Sequence, residues 1–405
     1  MILAMENLPY EELLQKLQAQ RGRGRDDYPV RAMWNSLVAM VVFEHPSVQS
    51  LRRELKRNGQ LRWICGFKSS EVPSSSAYSR FMKKLEINEG YIKGIFEQLV
   101  KFMAEEAEGF GQRLAVDGKA VQSHARPTCK DKEPDGRRDT DADYGVKNYH
   151  CSDGSIDREY WYGYQLSLVA DTQYELPVAY SVTEASRSEL KEAEELVEEN
   201  PDIFERCRVL TADRGYDSGP FIEKLWEEHG IKSVIDIRNF WRDSEDDTRL
   251  LGGWPNVVYN YRGEVFCYCP KSGQKREMSF GGFEKDRETL KYRCPSWQYE
   301  SVQCAGCEEC PVKSCLRIPL SEDRRIFTPL ARSSYRWDTL YEERTAVERL
   351  NSRLGVSFGF ERHFVRGLQK MKVKVGLALS VMLSMAVGRV RQNKEGLMRS
   401  LVQPA

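Results

Sequence analysis

Three acidic residues of this 405-residue chain stand in contexts that suit metal ligands better than surface acids. Asp117 and Asp213 each end an apolar-led run, at residues 113–116 and 207–212, as acids at strand ends do. Glu348 lies inside a later helical pattern. Two such acids and a helical third can converge on two divalent cations about 4 Å apart, which clamp the attacking and leaving oxygens of a phosphoryl displacement. Carboxylate oxygens suit Mg²⁺, or Mn²⁺, and Mg²⁺ keeps several waters, so three protein ligands suffice.

The residues before Glu348 predict a phosphate-binding face. On one helix at 100° per residue, Tyr341, Arg344 and Glu348 fall within roughly 60° of one another. Arg344 could then hold a phosphate through a bidentate pair, with Tyr341 bonding or stacking nearby. The alternative is an exposed amphipathic helix with ordinary i,i+4 pairs such as Arg344–Glu348. The matching contexts of the two aspartates favour the catalytic interpretation.

At these residues the chain resembles the DDE transposases of bacterial insertion sequences. One subgroup of that family carries a Tyr-x2-Arg-x3-Glu-x6-Lys signature. Tyr341, Arg344 and Glu348 stand at that spacing, whereas Gly355 stands at the lysine position. Two nearby arginines could supply the missing cation: Arg349 and Arg353.

The resemblance extends over roughly residues 30–390. Residues 212–218 resemble the family's second-aspartate motif, and residues 162–166 and 175–177 resemble the strand pair between the two aspartates. It implies metal-dependent cleavage of element ends, followed by strand transfer into target DNA. It also implies a homodimer acting on double-stranded DNA, with two Mg²⁺ or Mn²⁺ ions at the three acids. Lys119, two residues after Asp117, could touch a phosphate.

Two alternatives from other classes remain open. One is an RNase H-like nuclease that cuts DNA without joining it, and the other is a non-catalytic DNA-binding derivative. The intact acids argue against the derivative. The nuclease and the transposase use the same site, so an assay of the products is needed to separate them.

Charge is unevenly distributed along the chain. Basic and acidic residues balance at 61 each, which argues weakly against a nucleic-acid binder. Residues 51–101, however, contain eleven Lys and Arg against five Asp and Glu, and residues 344–374 contain eight against two. Two local DNA-binding faces explain this distribution, and solvated helix faces are the alternative.

The first hundred residues predict helices. Ser47 is a plausible N-cap for one helix, and residues 73–76 begin another with a basic outer side. The cations of that side are predicted to bind DNA: Arg80, Lys83 and Lys84. Two short helices with the second one basic suggest a helix-turn-helix-like unit, with a plain helical bundle as the alternative.

From residue 114 the hydrophobic period changes to that of strands. Three strands are predicted first, at 114–121, 160–170 and 176–183, and the segment between the first two, at 122–155, is polar and indicates a loop. Alternating helices and strands follow: 189–199, a strand ending at Asp213, 220–229 and 233–237. This order predicts an α/β fold, an RNase H-like mixed sheet with helices on its faces.

Seven of the eleven cysteines fall between residues 267 and 315. Cys304, Cys307, Cys310 and Cys315 have zinc-like spacing, and three more precede them: Cys267, Cys269 and Cys294. Four thiolates around one Zn²⁺ would hold together a region too small for a core of its own. An iron–sulfur site with the same ligands and free thiols are the alternatives.

We expect five segments along the chain. These are a helical DNA-binding domain, two parts of a catalytic domain, a cysteine-rich insertion between those parts, and a tail: 1–105, 106–238 with 331–392, 239–330, and 393–405. The opening residues lack a signal-peptide pattern. The longest apolar run, 375–387, is shorter than the about 20 residues of a bilayer span and fits a buried helix. We therefore expect a cytoplasmic, nucleoid-associated bacterial protein without membrane contact.

Overall fold

The computed structural model describes residues 1–21, 28–127, 139–150, 156–238, 241 and 247–399. Parts of the predicted loop at 122–155 and of the predicted tail lie outside the described residues. Two compact units are present. The first consists of Met1–Gly111, Val116–Ile203 and Ala346–Ala405, and the second of Gln112–Ala115 and Phe204–Thr345. This division differs from the five predicted segments, whose bounds stay a prediction.

The first unit begins with seven helices: α1 Ile2–Asn7, α2 Glu11–Ala19, α3 Val30–Val42, α4 Val48–Arg57, α5 Gly59–Cys65, α6 Ser75–Ile87 and α7 Glu89–Glu106. The side chain of Ser47 caps α4 by accepting a hydrogen bond from Ser50 N at 3.1 Å, as predicted. Ser74 caps α6 in the same way. Helix α5 lies between them, inside the region predicted to be helical, but its seven residues are too few to show a period of their own.

The first unit also contains the antiparallel part of the sheet. Strand β1 spans Arg113–Gln122 and belongs to this unit from Val116 onward; the other strands are β2 Asp143–His150, β3 Ile156–Asp171 and β4 Leu176–Glu184. Strand β3 pairs antiparallel with β2 and with β4, and neighbours β1. Strand β2 lies inside the segment that was predicted to be a loop. Its large apolar residues Tyr144 and Val146 are exposed, so this edge strand carries no core pattern. The helices α8 Glu189–Glu199 and α9 Pro201–Phe204 follow.

Two later helices complete the first unit: α13 Thr345–Val356, from Ala346 onward, and α14 Leu368–Arg391. By length and composition α14 could cross a membrane, but 89% of its most apolar window is buried inside the protein. It packs against α7 and β4. At Gly376 a Cβ atom would lie 2.6 Å from the Tyr180 hydroxyl, so the close packing there requires glycine. Helix α14 is therefore the buried helix that the apolar run predicts.

The second unit contains the parallel part of the sheet. Arg113, Leu114 and Ala115 of β1 pair parallel with β5 Val209–Ala212, which pairs parallel with β6 Lys232–Ile235. Helix α10 Gly219–Glu227 connects β5 to β6. Helix α12 Tyr335–Glu342 contributes Trp337 and Leu340 to a small core with Val209 and Val234. The predicted mixed sheet with a helical N-terminal region is thus confirmed.

Two small antiparallel sheets lie between β6 and α12. One has the order β10-β9-β8-β7 and the other β11-β12-β13. Their bounds are β7 Thr248–Leu250, β8 Val257–Asn260, β9 Val265–Tyr268, β10 Lys275–Glu277, β11 Ser279–Glu284, β12 Thr289–Arg293 and β13 Cys315–Pro319, with α11 Pro295–Gln298 after β12. Contrary to the prediction, this stretch has a hydrophobic core, which includes Val257, Leu290 and Ile318. Its interpretation as an insertion stays a prediction.

Candidate active site

Asp117, in strand β1, accepts a hydrogen bond from helix α13. The donor is Asn351, whose Nδ2 atom lies 2.9 Å from Asp117 Oδ2. Asn351 follows Glu348 by three residues, a spacing that places both side chains on the same side of a helix. The bond therefore aligns the helix of one predicted catalytic acid with the strand of another, within the first unit.

Asn351 was missed by the sequence reasoning. It is 7% exposed, among the buried residues Val347, Leu350 and Leu354 of α13. A polar residue inside such an apolar stripe is a signal, because a buried amide needs hydrogen-bond partners. The Nδ2 atom donates its hydrogen bond to Asp117, but the buried Oδ1 atom has no hydrogen-bond partner among the residues that the structure describes.

Glu175, in the turn between β3 and β4, anchors α13 a second time. Its Oε1 atom accepts hydrogen bonds from Arg349 Nε at 2.7 Å and from Arg399 Nη1 at 3.0 Å. Arg353 donates to the backbone oxygen of Glu175, and burial lowers the pKa of the Arg353 guanidinium. The side chain of Arg349 is 54% exposed and that of Arg353 22%. Both predicted DNA-binding arginines thus hold α13 in place, and Arg349 keeps the larger surface for a phosphate.

Lys119 lies on β1 two residues after Asp117 and is partly buried. Burial lowers the pKa of Lys119, and the nearby carboxylates of Glu361 and Asp117 oppose that shift. Glu361 also explains Gly355, the residue at the signature's lysine position. A Cβ atom at Gly355 would lie 2.8 Å from Glu361 Oε1, so the carboxylate occupies the space of a larger side chain.

Asp213, in the second unit, directly follows β5. Its Oδ1 atom accepts a hydrogen bond from Gly215 N at 2.7 Å, which caps a short helical turn at Arg214–Tyr216. In the parallel register Ala115 pairs with Thr211. Along the chain Asp117 comes two residues after Ala115, and Asp213 two residues after Thr211. Asp213 therefore lies at a strand end, whereas Asp117 is the fifth of the ten residues of β1 and lies within its strand.

Tyr341 and Arg344 do not share one helix with Glu348, contrary to the prediction. Helix α12 ends at Glu342 and α13 begins at Thr345. Between them Arg344 N donates to Tyr341 O at 3.0 Å, a tight i−3 bond in place of the i−4 bond of a continuous α-helix. The calculation of a common face, which assumes one continuous helix, therefore does not apply, although the Arg344 guanidinium lies 5.7 Å from the centre of the Tyr341 ring.

The surroundings of Tyr341 include a second acid. Burial raises the pKa of Tyr341, and the carboxylates of Asp236 and Asp213 raise it further. Asp236 directly follows β6 and forms an ion pair with Arg214. It shares with Asp213 the signal of an acid at a strand end, which could have identified it in the sequence. Trp337 stacks on Tyr341 with ring centres 5.0 Å apart, so Trp337 belongs to the core of this unit.

The predicted DNA-binding cations of α6 differ in their exposure. Arg80 and Lys83 are exposed, and neither makes an ion pair with a residue in the described part of the chain. Lys84 is partly buried and donates a hydrogen bond to Gln20 O at 3.3 Å. Arg80 and Lys83 therefore present unneutralised charge to solvent, whereas Lys84 also ties α6 to the end of α2.

The donor atoms at Asp117 suit a hard cation. Within the described ranges, no three His, Cys, Asp or Glu side chains are arranged around one point as metal ligands. However, the unpartnered Asn351 Oδ1 atom is a buried oxygen beside a carboxylate. Amide and carboxylate oxygens are the ligands that Mg²⁺ and Mn²⁺ prefer. The first unit thus offers a ligand set of the right chemistry.

Two family models match the chain. Residues 108–383, more than half of the chain, match the family model "Transposase DDE domain", and residues 4–84 match "Transposase domain (DUF772)". One similar solved structure is a cryo-EM structure of a piggyBac transposase synaptic complex with hairpin DNA. It is 11% identical, with 99% of this chain and 78% of that chain covered and a TM-score of 0.43. No curated protein matches the chain.

Proposed function

This chain belongs to the DDE transposase family, and from that premise we propose that it cleaves the ends of a DNA element and joins them to target DNA. The observation that carries this proposal is the hydrogen bond between Asn351 and Asp117. It fixes the helix of Glu348 against the strand of Asp117 inside the matched region. The third acid, Asp213, follows the strand that pairs with β1.

The proposed metal ligands are Asp117, Asp213 and Glu348. DDE transposase domains depend on divalent metal ions, and we propose two Mg²⁺ or Mn²⁺ ions for this chain. When bound, such ions lower the pKa of a water molecule and neutralise the developing charge on the phosphate. Asn351 holds the Asp117 carboxylate in place, and its free amide oxygen can serve as an additional oxygen ligand.

Two cations are proposed to hold the scissile phosphate. The signature has a lysine where this chain has Gly355, and Glu361 occupies the space beside that glycine. Lys119, which lies close to Asp117, is proposed to supply the positive charge instead. Arg344 stays beside Tyr341, where its planar guanidinium can pair with two phosphate oxygens. These charges stabilise the phosphorane-like charge distribution and orient the strand for in-line attack.

Double-stranded DNA is the proposed partner, held in part by α6. Arg80 and Lys83 are exposed and without ion-pair partners among the described residues, as expected for contacts with DNA phosphates. Such contacts give an affinity that falls steeply with salt, because binding releases counterions. We also propose that the protein acts as a homodimer, one protomer for each element end, and that the cysteine-rich stretch binds a structural zinc ion.

A cleavage assay on DNA carrying the element ends tests the catalytic assignment. Asp117→Ala, Asp213→Ala and Glu348→Ala should each abolish cleavage in Mg²⁺ while DNA binding persists. Exposed acids supply matched controls, Asp202→Ala and Glu342→Ala, which should cleave like the wild type. Full cleavage by any of the three site variants would refute the assignment. Cleavage by the wild type without joined products would favour the nuclease.

A further inference from the structure

Six cysteines of the second unit line one small cavity. The cavity volume is about 10 Å³, and its lining cysteines are Cys267, Cys269, Cys294, Cys304, Cys307 and Cys310. Cys315, which the spacing grouped with them, lies at the start of β13 outside this lining. There its sulfur contacts the Arg317 guanidinium at 3.7 Å. The structure therefore gathers a different set of thiols from the one that spacing alone selects.

Four of these thiols are brought together by one hydroxyl and one turn. The Ser296 hydroxyl oxygen lies 3.2 Å from Cys294 Sγ and 3.3 Å from Cys307 Sγ. Cys307 N donates to Cys304 O at 3.4 Å, which places Cys304 and Cys307 in one turn, and Gly306 of that turn lies against Cys269. All four are free cysteines. The four residues thus surround the same space.

The turn after Cys269 is shaped to hold a thiolate. Ser272 N points at Cys269 Sγ from 3.5 Å, and Gly273 N donates to Cys269 O at 2.8 Å. A backbone N–H directed at sulfur favours its negatively charged form. Opposite this turn, a Cβ atom at Gly306 would lie 3.0 Å from Pro270 Cδ and 3.3 Å from Cys269 Sγ. Glycine at 306 therefore lets its loop press against the Cys269 turn.

That loop is long and irregular. Residues 299–314 connect α11 to β13 without a helix or strand. Structureless connections longer than about 12–15 residues are uncommon in compact domains unless they have a function or a tether. This segment carries Cys304, Cys307 and Cys310, whereas Cys269 follows β9 and Cys294 follows β12. A ligand shared by these thiols would tie the segment to both small sheets.

We infer that the cavity is a structural zinc site whose four ligands are Cys269, Cys294, Cys304 and Cys307. Four thiolates in a tetrahedron, with Zn–S distances of about 2.3 Å, form a closed structural site. No three side chains of the described residues stand as ligands in the conformation described. Because the four cysteines already line the cavity, rotation between staggered side-chain rotamers can direct their sulfur atoms inward without moving the strands.

The narrow space between the thiols, about 10 Å³, favours a single ion over an iron–sulfur cluster, which brings several iron and sulfide atoms. Two further cysteines line the cavity, Cys267 on β9 and Cys310, and neither belongs to this group of four. The Cys310 sulfur instead accepts a hydrogen bond from Asn256 Nδ2 at 3.4 Å.

Elemental analysis of full-length protein purified without added metal tests the inference. The wild type should contain about one zinc per chain, as a closed four-ligand site does. Cys304→Ser and Cys294→Ser should lose this zinc, whereas Cys315→Ser and Cys310→Ser should retain it. Replacement of zinc by Co²⁺ in the wild type should give the visible bands of a tetrahedral thiolate site, a readout that does not need a variant to fold.

The outcomes separate clearly. One zinc per chain, lost in the two ligand variants and kept in the two controls, supports the site. Iron instead of zinc, or no metal in the wild type, overturns it. Zinc lost from Cys315→Ser and kept by Cys304→Ser overturns the ligand set. Because the site lies outside the cleavage chemistry, none of these results depends on whether the protein transposes DNA.

Discussion

The sharpest prediction concerns Asn351, the amide that holds Asp117. In Asn351→Ala the bond from Nδ2 to Asp117 Oδ2, 2.9 Å long and partly buried, is lost together with the unpartnered Oδ1 atom. A hydrogen bond to a charged group contributes about 1.5–3 kcal/mol. At about 1.4 kcal/mol per factor of ten, this corresponds to roughly 10- to 150-fold in the affinity of the carboxylate site for its metal.

The assay is cleavage of element-end DNA across a range of Mg²⁺ concentrations. We expect the Mg²⁺ concentration for half-maximal cleavage to rise about 10- to 100-fold in Asn351→Ala, the range that loss of a ligand-orienting partner produces. Excess Mg²⁺ should restore much of the rate. Asn351→Asp supplies a carboxylate oxygen in place of the amide oxygen, so at saturating Mg²⁺ it should recover more activity than Asn351→Ala.

Ser352→Ala, on the exposed side of the same helix, is the matched control and should titrate like the wild type. A purely structural role for Asn351 would lower the fraction of folded protein, as circular dichroism would show, without changing the half-saturating Mg²⁺ concentration. That result would refute the positioning role, as would equal titration curves for Asn351→Ala and Ser352→Ala.

Three further predictions concern stability, DNA binding and pH. Glu175→Ala removes the carboxylate that accepts hydrogen bonds from Arg349 and Arg399, and denaturant unfolding should show a loss of about 2–3 kcal/mol; no loss would mean that this turn does not anchor α13. Replacing both Arg80 and Lys83 by Glu should weaken DNA binding and flatten its salt dependence in gel-shift titrations, whereas unchanged affinity would place the contacts elsewhere. Burial lowers the pKa of Lys374 from 10.5 to about 8, so the folded state binds fewer protons than the unfolded state between these values, and stability should rise as pH increases through them. Lys374→Met should therefore stabilise the protein at pH 7 by about 3 kcal/mol and remove this rise, and a pH profile identical to that of the wild type would contradict the prediction.

The sequence by itself determined the order of elements and the chemistry of the acids. Strand and helix periods depend on local alternation of apolar residues, so β1, β3, β4, α8, β5, α10 and β6 were predicted close to their observed bounds. Asp117 and Asp213 could be identified because an acid that directly follows a buried run is visible in one dimension. The motif around Glu348 likewise depends on spacing along the chain.

Tertiary structure decided which side chains meet. The break between Glu342 and Thr345 could not be foreseen, because both flanking segments carry good helical periods and a two-residue turn leaves the pattern intact. Strand β2 was missed because an exposed edge strand has no buried face to enforce alternation. The partners of Asn351 and of Glu175 lie 234 and 174 residues away along the chain, a distance at which no local pattern carries information.

The cysteines show the same division. Their number and clustering predict a metal site from the sequence, but spacing could not show which thiols line one cavity. Cys269 and Cys294 reach the cavity from the ends of two different sheets, whereas Cys315 lies on β13 beside Arg317. The sequence thus determined which functional groups are present, since chemistry depends on residue type. Folding alone decided which of them share a site, since proximity depends on how distant strands and loops pack.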